Sequence, residues 1–350
     1  EGKMNTNSAS KKAISMVCLI AGIILLAAAL IQDISGSGAG WRGPALIIGA
    51  IGILLGMYLF PTLKHHRSIV NFIFVFPLLF TFVVTVIIPL CLGVFYSFTD
   101  WNGIKMTGFV GFTNYKAMFN EPSFLWSLII TILFVVLNMV LVNVVAFMLA
   151  LLCTSKIKGL SFFRASYFLP NLIGGIVLGY IWQFVFSRVF VSIGETTGWS
   201  LFEISWLSTP NKAFAALVLV SVWQLAGYMI LIYVAGFMGL SEDVLEAASI
   251  DGASGWVKMK NIILPLMMSS VTICLFLTLS RAFMVYDVNL SLTGGAPYGT
   301  TEMAAMHVYE KAFTSRQFGV GQAEAFILFI IVACISGIQV YTTKKREVEA

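Results

Sequence analysis

The strongest constraint on this chain is a series of eight apolar runs, near residues 13–31, 44–60, 70–96, 125–152, 167–189, 213–239, 266–286 and 319–341. An α-helix rises 1.5 Å per residue, so about 20 residues cross the roughly 30 Å hydrocarbon layer of a bilayer. Only 11% of the residues are charged and 59% are hydrophobic, whereas soluble domains carry about 25% charged residues. Lipid is therefore the solvent for most of the chain. The expected fold class is all-α, a polytopic membrane protein with about eight transmembrane helices.

An even number of spans puts both termini on one side. With that side cytoplasmic, thirteen Lys and Arg residues fall in inner segments, among them Lys11, Lys12, Lys258, Lys260 and Lys344, and seven in the outer ones. The outer loops are the longer, so the bias satisfies the positive-inside rule and predicts a multi-pass protein of the cytoplasmic membrane with both termini inside. Lys11 and Lys12 ahead of the first run are also a signal-peptide feature, but that run is too long for a typical signal core. The net charge of +5 is spread in small clusters between apolar runs, which argues against a nucleic-acid partner. Cys18, Cys91, Cys153, Cys274 and Cys334 lie in or beside apolar runs without CxxC spacing and read as small hydrophobes. His65 and His66 are far from His307, so no metal-ligand spacing is present in the sequence.

One polar island, Ser241–Pro265, separates two of the runs. Ser241 is placed to cap a helix whose first turn holds Glu242 and Asp243 at the positive end of its dipole. Val244, Ala247, Ala248 and Asp251 recur at i, i+3, i+4 and i+7, a narrow face of small side chains suited to close contact with another protein. Gly252 falls where a left-handed helix terminus is expected, a second short helix can start near Ser254, and Pro265 fits the first turn of the next span. The plain alternative is an amphipathic connector.

Polar residues inside the runs are few. Asn138 and Asn143, five residues apart, read as contacts between helices. Pro170 with Gly174, Gly175 and Gly179 should weaken the fifth run, which membranes tolerate where backbone lines a cavity; a glycine packing face is the other reading. Gln224 and Tyr228 share one face of the sixth run, as do Thr278 and Arg281 in the seventh. Arg281 is costly in lipid and should find Asp287, a cavity or a solute, or snorkel to the interface. The Gly-rich stretch Thr293–Glu302 lacks the Lys-Ser/Thr of a phosphate loop. Glu324 is the one plausible embedded carboxylate for an ion-coupled carrier, the alternative function, and no pattern for intramembrane catalysis is present.

The spacing Glu246-Ala247-Ala248, three residues, Gly252, nine residues, Ile262, one residue, Leu264-Pro265 resembles the EAA loop of ABC-importer membrane subunits. The strings SFTDWNG…FVGFTNYKAMF, Phe-Arg…Tyr-Phe-Leu-Pro and TGGAP resemble the maltose-type branch of carbohydrate permeases, so the likeness runs from near Ile69 to the C-terminus. It implies a six-helix permease core, residues 69–350, preceded by a cytoplasmic tail and two accessory helices, residues 1–68. It further implies a non-enzymatic transport subunit that imports a sugar and binds no cofactor itself. ATP and Mg would sit on two cytoplasmic ATPase subunits that grip Glu246, Ala247, Ala248, Asp251, Gly252, Ile262, Leu264 and Pro265. A second permease would share the pathway, and an extracellular solute-binding protein would deliver the solute. Asn171, Gln224, Tyr228, Thr278 and Arg281 fall where the family's sugar site is found, and Arg281 adds the expectation of an acidic solute.

Overall fold

The computed structural model describes residues 2–34, 41–59, 66–154 and 160–347. Lys64, His65, Lys156 and Lys158 lie outside the described residues. Regular structure among the described residues is helical, with one isolated antiparallel bridge, Thr99 to Phe109. The chain forms two compact units, Glu1–Leu92 and Gly93–Ala350.

In the first unit α1 (Gly2–Ile34) pairs with α2 (Arg42–Leu59), and α3 (His66–Phe82) continues through a π-helical turn, Val83–Ile87, into α4 (Ile88–Ser97), whose residues from Gly93 on belong to the second unit. Glycines let α1 and α2 meet backbone to backbone: a Cβ on Gly22 would stand 2.7 Å from the Gly49 carbonyl oxygen, and one on Gly56 2.8 Å from the Leu19 nitrogen. The Ser15 hydroxyl donates to the Gly56 carbonyl. Small-residue contacts of this kind hold helices together in lipid, where apolar side chains gain nothing from leaving the solvent. The apolar parts of the pair, Ala13–Ala29 and Gly43–Leu59, have 17 residues each, about 26 Å of helix. Phe74–Ser97 supplies a full-length apolar helix of 24 residues.

The second unit adds α5 (Thr113–Phe119), α6 (Pro122–Cys153), α7 (Leu160–Leu172), α8 (Gly175–Phe184), α9 (Phe190–Thr197) and α10 (Pro210–Met238). Then follow α11 (Glu242–Ile250), α12 (Gly255–Lys258), α13 (Leu264–Leu266), α14 (Met268–Phe283), α15 (Asp287–Leu292), α16 (Ala304–Tyr309) and α17 (Phe318–Lys344). Four stretches of span length and composition lie here, Pro122–Cys153, Gly175–Thr197, Pro210–Met238 and Phe318–Lys344; Gly255–Leu266 with Met268–Phe283 makes one more if a 72° bend is counted as one span.

Two expected spans differ in detail. The run 167–189 is broken: α7 ends at Leu172 and α8 starts at Gly175, with Gly174 in extended backbone. Pro170 lacks an N–H for the last turn of α7, and two successive glycines favour the break. The run 266–286 begins as a straight helix only at Met268: Pro265 sits in the first turn of α13, a position that tolerates proline, and the chain bends by 72° at Met267, between α13 and α14.

Packing fixes the directions of the helices. Ile130, Phe134 and Val135 of α6 cluster with Leu217, Val218 and Val220 of α10, while Val142, Ala146 and Ala150 cluster with Met229, Ile230 and Val234. The two helices therefore run parallel. Leu279 and Phe283 join the first cluster and Met267 and Cys274 the second, so α14 runs the opposite way. At one end Tyr115, Met118, Phe124 and Ala323 form a third cluster; the other end carries the loop after α10. Helix α10 is central, with 56% of its apolar window buried.

Candidate functional site

The polar island folds as a compact elbow. Ser241 adopts extended backbone at the start of α11, but its side chain makes no capping bond, contrary to the expectation; its carbonyl accepts from the Leu245 N–H at 3.3 Å. Glu242 and Asp243 occupy the first turn. Gly252 has φ +77°, the left-handed geometry that costs a side chain about 1–2 kcal/mol. The Ala253 N–H then closes the turn on the Ala248 carbonyl at 3.0 Å. Ser254 caps α12, its hydroxyl accepting from the Val257 N–H at 3.4 Å. Lys258 reaches back from α12 and donates to the Leu245 carbonyl at 2.6 Å and the Ser249 hydroxyl at 2.8 Å. Two short helices are thereby tied into one body.

The predicted narrow face is divided. Ala248 is buried, whereas Val244, Glu246, Ala247 and Asp251 are exposed. Ile262 and Pro265 are half-buried and Leu264 is exposed, on the segment that carries the elbow into α14. Ile250 and Trp256 stand 80% and 74% exposed on the same elbow. Sequence reasoning passed over both; the signal was two large apolar residues inside a polar island.

Four of the five predicted pathway residues converge at the break between α7 and α8. The Gln224 amide donates to the Ile173 carbonyl at 3.3 Å, satisfying backbone freed by the break. Arg281 donates to Asn171 Oδ1 at 3.0 Å and stands 5.1 Å over the Tyr228 ring, a cation–π contact. Asn171, Gln224 and Arg281 line a cavity of about 250 Å3 together with Gly175, Ser221 and Asp287. Among the described residues no carboxylate lies within ion-pair distance of Arg281. Gly227, beside Tyr228, permits the convergence, since a Cβ there would meet the Tyr167 carbonyl oxygen at 2.0 Å.

Thr278 is not brought to this cavity. It is fully buried, and its hydroxyl accepts from Asn143 at 3.3 Å while Asn143 Oδ1 accepts from the Tyr233 hydroxyl at 2.8 Å. This polar knot joins α6, α10 and α14 and bears out the reading of Asn143 as a contact between helices. Asn138 donates within its own helix, to the Phe134 carbonyl at 2.9 Å.

Beyond the cavity the structure adds a ladder of rings. Tyr286 lines the cavity and lies 5.0 Å from Tyr309, which lies 4.8 Å from Phe313, itself 5.5 Å from Phe318. The ladder spans α16 and the start of α17, and no single helical period in the sequence announces it.

The arrangement is matched by known proteins. Residues 159–348 fit the family described as binding-protein-dependent transport system inner membrane component. The permease protein AmyD of a probable starch degradation products transport system in Thermoanaerobacterium thermosulfurigenes is 45% identical over 279 residues, covering 79% of this chain and 94% of that protein. The permease protein MsmF of a multiple sugar-binding transport system in Streptococcus mutans is 34% identical, covering 74% and 90%. A crystal structure of a bacterial ABC transporter involved in the import of the acidic polysaccharide alginate shares the fold, with a TM-score of 0.70 over 81% of this chain and 97% of that one at 16% identity. The likeness noted at the EAA-spaced island is borne out over most of the sequence, and the chain belongs to the inner-membrane permease subunits of binding-protein-dependent ABC transport systems, a transport component and not an enzyme.

Proposed function

We propose that this permease subunit moves a sugar or oligosaccharide inward across the cytoplasmic membrane along the cavity lined by Asn171, Gln224 and Arg281, with Tyr228 behind Arg281. The observation that carries the reading is connectivity. Helix α10 bears Gln224 and Tyr228, α14 bears Arg281, and these are the two helices that Ser241–Pro265 joins. Force applied to the elbow therefore reaches both walls of the cavity along the backbone that joins them.

Two cytoplasmic ATPase subunits supply that force through Glu246, Ala247, Ala248, Asp251, Gly252, Ile262, Leu264 and Pro265. ATP and Mg belong to those subunits. Nucleotide-driven closure favours one orientation of α10 and α14 and release the other, so the solute sees alternating access. A second homologous permease completes the pathway, and an extracellular solute-binding protein delivers the solute. Residues 69–350 form the six-helix core, residues 1–68 the accessory helices, and both termini face the cytoplasm. Amide, hydroxyl and ring groups at the cavity match sugar hydroxyls and ring faces, and Tyr286, Tyr309 and Phe313 extend the aromatic surface. AmyD and MsmF carry sugar-transport names, which agrees with this chemistry. Arg281, with no carboxylate at ion-pair distance among the described residues, favours a solute bearing a carboxylate or phosphate.

Proteoliposomes holding the chain with its partner subunits test the reading. Uptake of labelled oligosaccharide should require ATP and the binding protein and should ignore a proton gradient. Uptake that persists without nucleotide and follows the gradient would overturn it.

A further inference from the structure

At the end of the bundle opposite the elbow, Glu324 lies on the second turn of α17 with 0% exposure, and neither of its carboxylate oxygens has a hydrogen-bond partner. An unpartnered buried carboxylate is among the costliest groups a protein can hold. Facing it is His307, 5% exposed, whose Nε2 is also without a hydrogen bond. Nε2 stands 3.7 Å from Glu324 Oε1 and 4.0 Å from Glu121 Oε1, too far for hydrogen bonds.

We propose that Glu121, His307 and Glu324 hold a divalent first-row metal ion, best matched by Zn2+, that staples the start of α6, α16 and the start of α17 together. The three residues each offer a donor atom within 4.8 Å of the others. Zinc bonds of about 2.0–2.2 Å in a tetrahedron place donors roughly 3.4 Å apart, so the observed gaps close on an ion with small side-chain rotations. The other imidazole nitrogen, Nδ1, lies 2.9 Å from Glu302 Oε1. A carboxylate accepting from Nδ1–H fixes the tautomer and turns the Nε2 lone pair toward the metal.

Charge agrees. Glu121, Glu302 and Glu324 are opposed by one ammonium, that of Lys311, 2.6 Å from Glu121 Oε1; with neutral His307, a divalent cation cancels the remainder. Ser123 also donates to Glu121 Oε1, at 2.9 Å. Phe124, its ring 5.8 Å from the imidazole, shields one side. One imidazole nitrogen with two carboxylates suits zinc better than the all-oxygen shells of Ca2+ or Mg2+. A fourth position is left for water. Glu324, the carboxylate an ion-coupled carrier would need, thus has a structural task at the helix end.

The test is metal binding by the full-length chain in lipid nanodiscs, independent of transport and of the solute. After EDTA treatment, Zn2+ should bind at one ion per chain and raise the unfolding temperature, while Mg2+ at the same concentration does neither. His307→Gln should abolish stoichiometric retention, and Glu302→Gln should weaken Zn2+ binding 10–100-fold. Co2+ should give visible ligand-field bands in the wild-type chain that His307→Gln removes, so the wild-type spectrum decides the matter even where a variant folds poorly. Wild-type chain that retains no stoichiometric Zn2+ and shows no Co2+ bands, or His307→Gln and Glu324→Gln chains that bind Zn2+ as the wild type does, would overturn the site.

Discussion

Arg281 illustrates how a single residue is set by three helices at once: Asn171 at the end of α7 receives its hydrogen bond, Tyr228 of α10 presents its ring, and its own backbone belongs to α14. Replacement by Gln keeps a donor for Asn171 and removes the charge. Uptake of an anionic sugar should then fall about tenfold or more, the scale of one charge-assisted hydrogen bond, while the complex still assembles; equal losses of assembly and uptake in a pull-down and transport assay would assign Arg281 to structure. Gly252 is constrained differently, by its φ of +77°. Gly252→Val forces a branched side chain into left-handed geometry and should uncouple nucleotide hydrolysis from uptake, seen as ATPase activity without solute accumulation.

Between elements, the contacts are of two kinds: apolar surfaces matched in shape, and a few polar ties. The knot of Asn143, Thr278 and Tyr233 is of the second kind. Hydrogen bonds between helices in lipid contribute on average about 0.6 kcal/mol and at most about 1.7, so a double-mutant cycle of Asn143→Leu and Thr278→Val should give a coupling of that size in thermal unfolding. Gly227 is of the first kind. Gly227→Leu would drive a side chain into the Tyr167 carbonyl, push α7 from α10, and destabilise by about 1–3 kcal/mol or more, as overpacking does; because Tyr228 adjoins it, solute binding should weaken as well. Much of the break after α7 is legible beforehand, since Pro170 and the Gly174-Gly175 pair stand in plain view. The bond that makes the break tolerable, Gln224 to Ile173, joins residues 51 apart in the chain and has no local signature.

At the scale of the whole molecule, the proposed transport role rests on the unit Gly93–Ala350, in which the polar cavity lies near mid-length of α10 and the elbow follows its end. Docking of ATPase subunits should then depend on the exposed apolar residues of the elbow as well as on Glu246. Trp256→Ser should weaken co-purification of the ATPase by about 2 kcal/mol, near thirtyfold, the cost typical of losing a central aromatic anchor, whereas Tyr298→Ser, more exposed still but at the far end, should leave it unchanged.

The sequence by itself determined that the chain lives in lipid, that it is helical, where the span-length helices Phe74–Ser97, Pro122–Cys153, Pro210–Met238 and Phe318–Lys344 run to within a few residues, and that a helix–glycine–helix island breaks the membrane pattern. These properties are local: hydrophobic run length, proline and glycine positions, and motif spacing are written in contiguous residues. The tertiary structure decided which polar side chains meet. Thr278 and Arg281 share a helix face by spacing, yet one is tied into a buried knot and the other reaches the cavity. Glu121, His307 and Glu324 lie in three separate stretches and become neighbours only because α6, α16 and α17 pack at one end. Helical periodicity places a residue on a face; only the packing of other helices determines what that face meets.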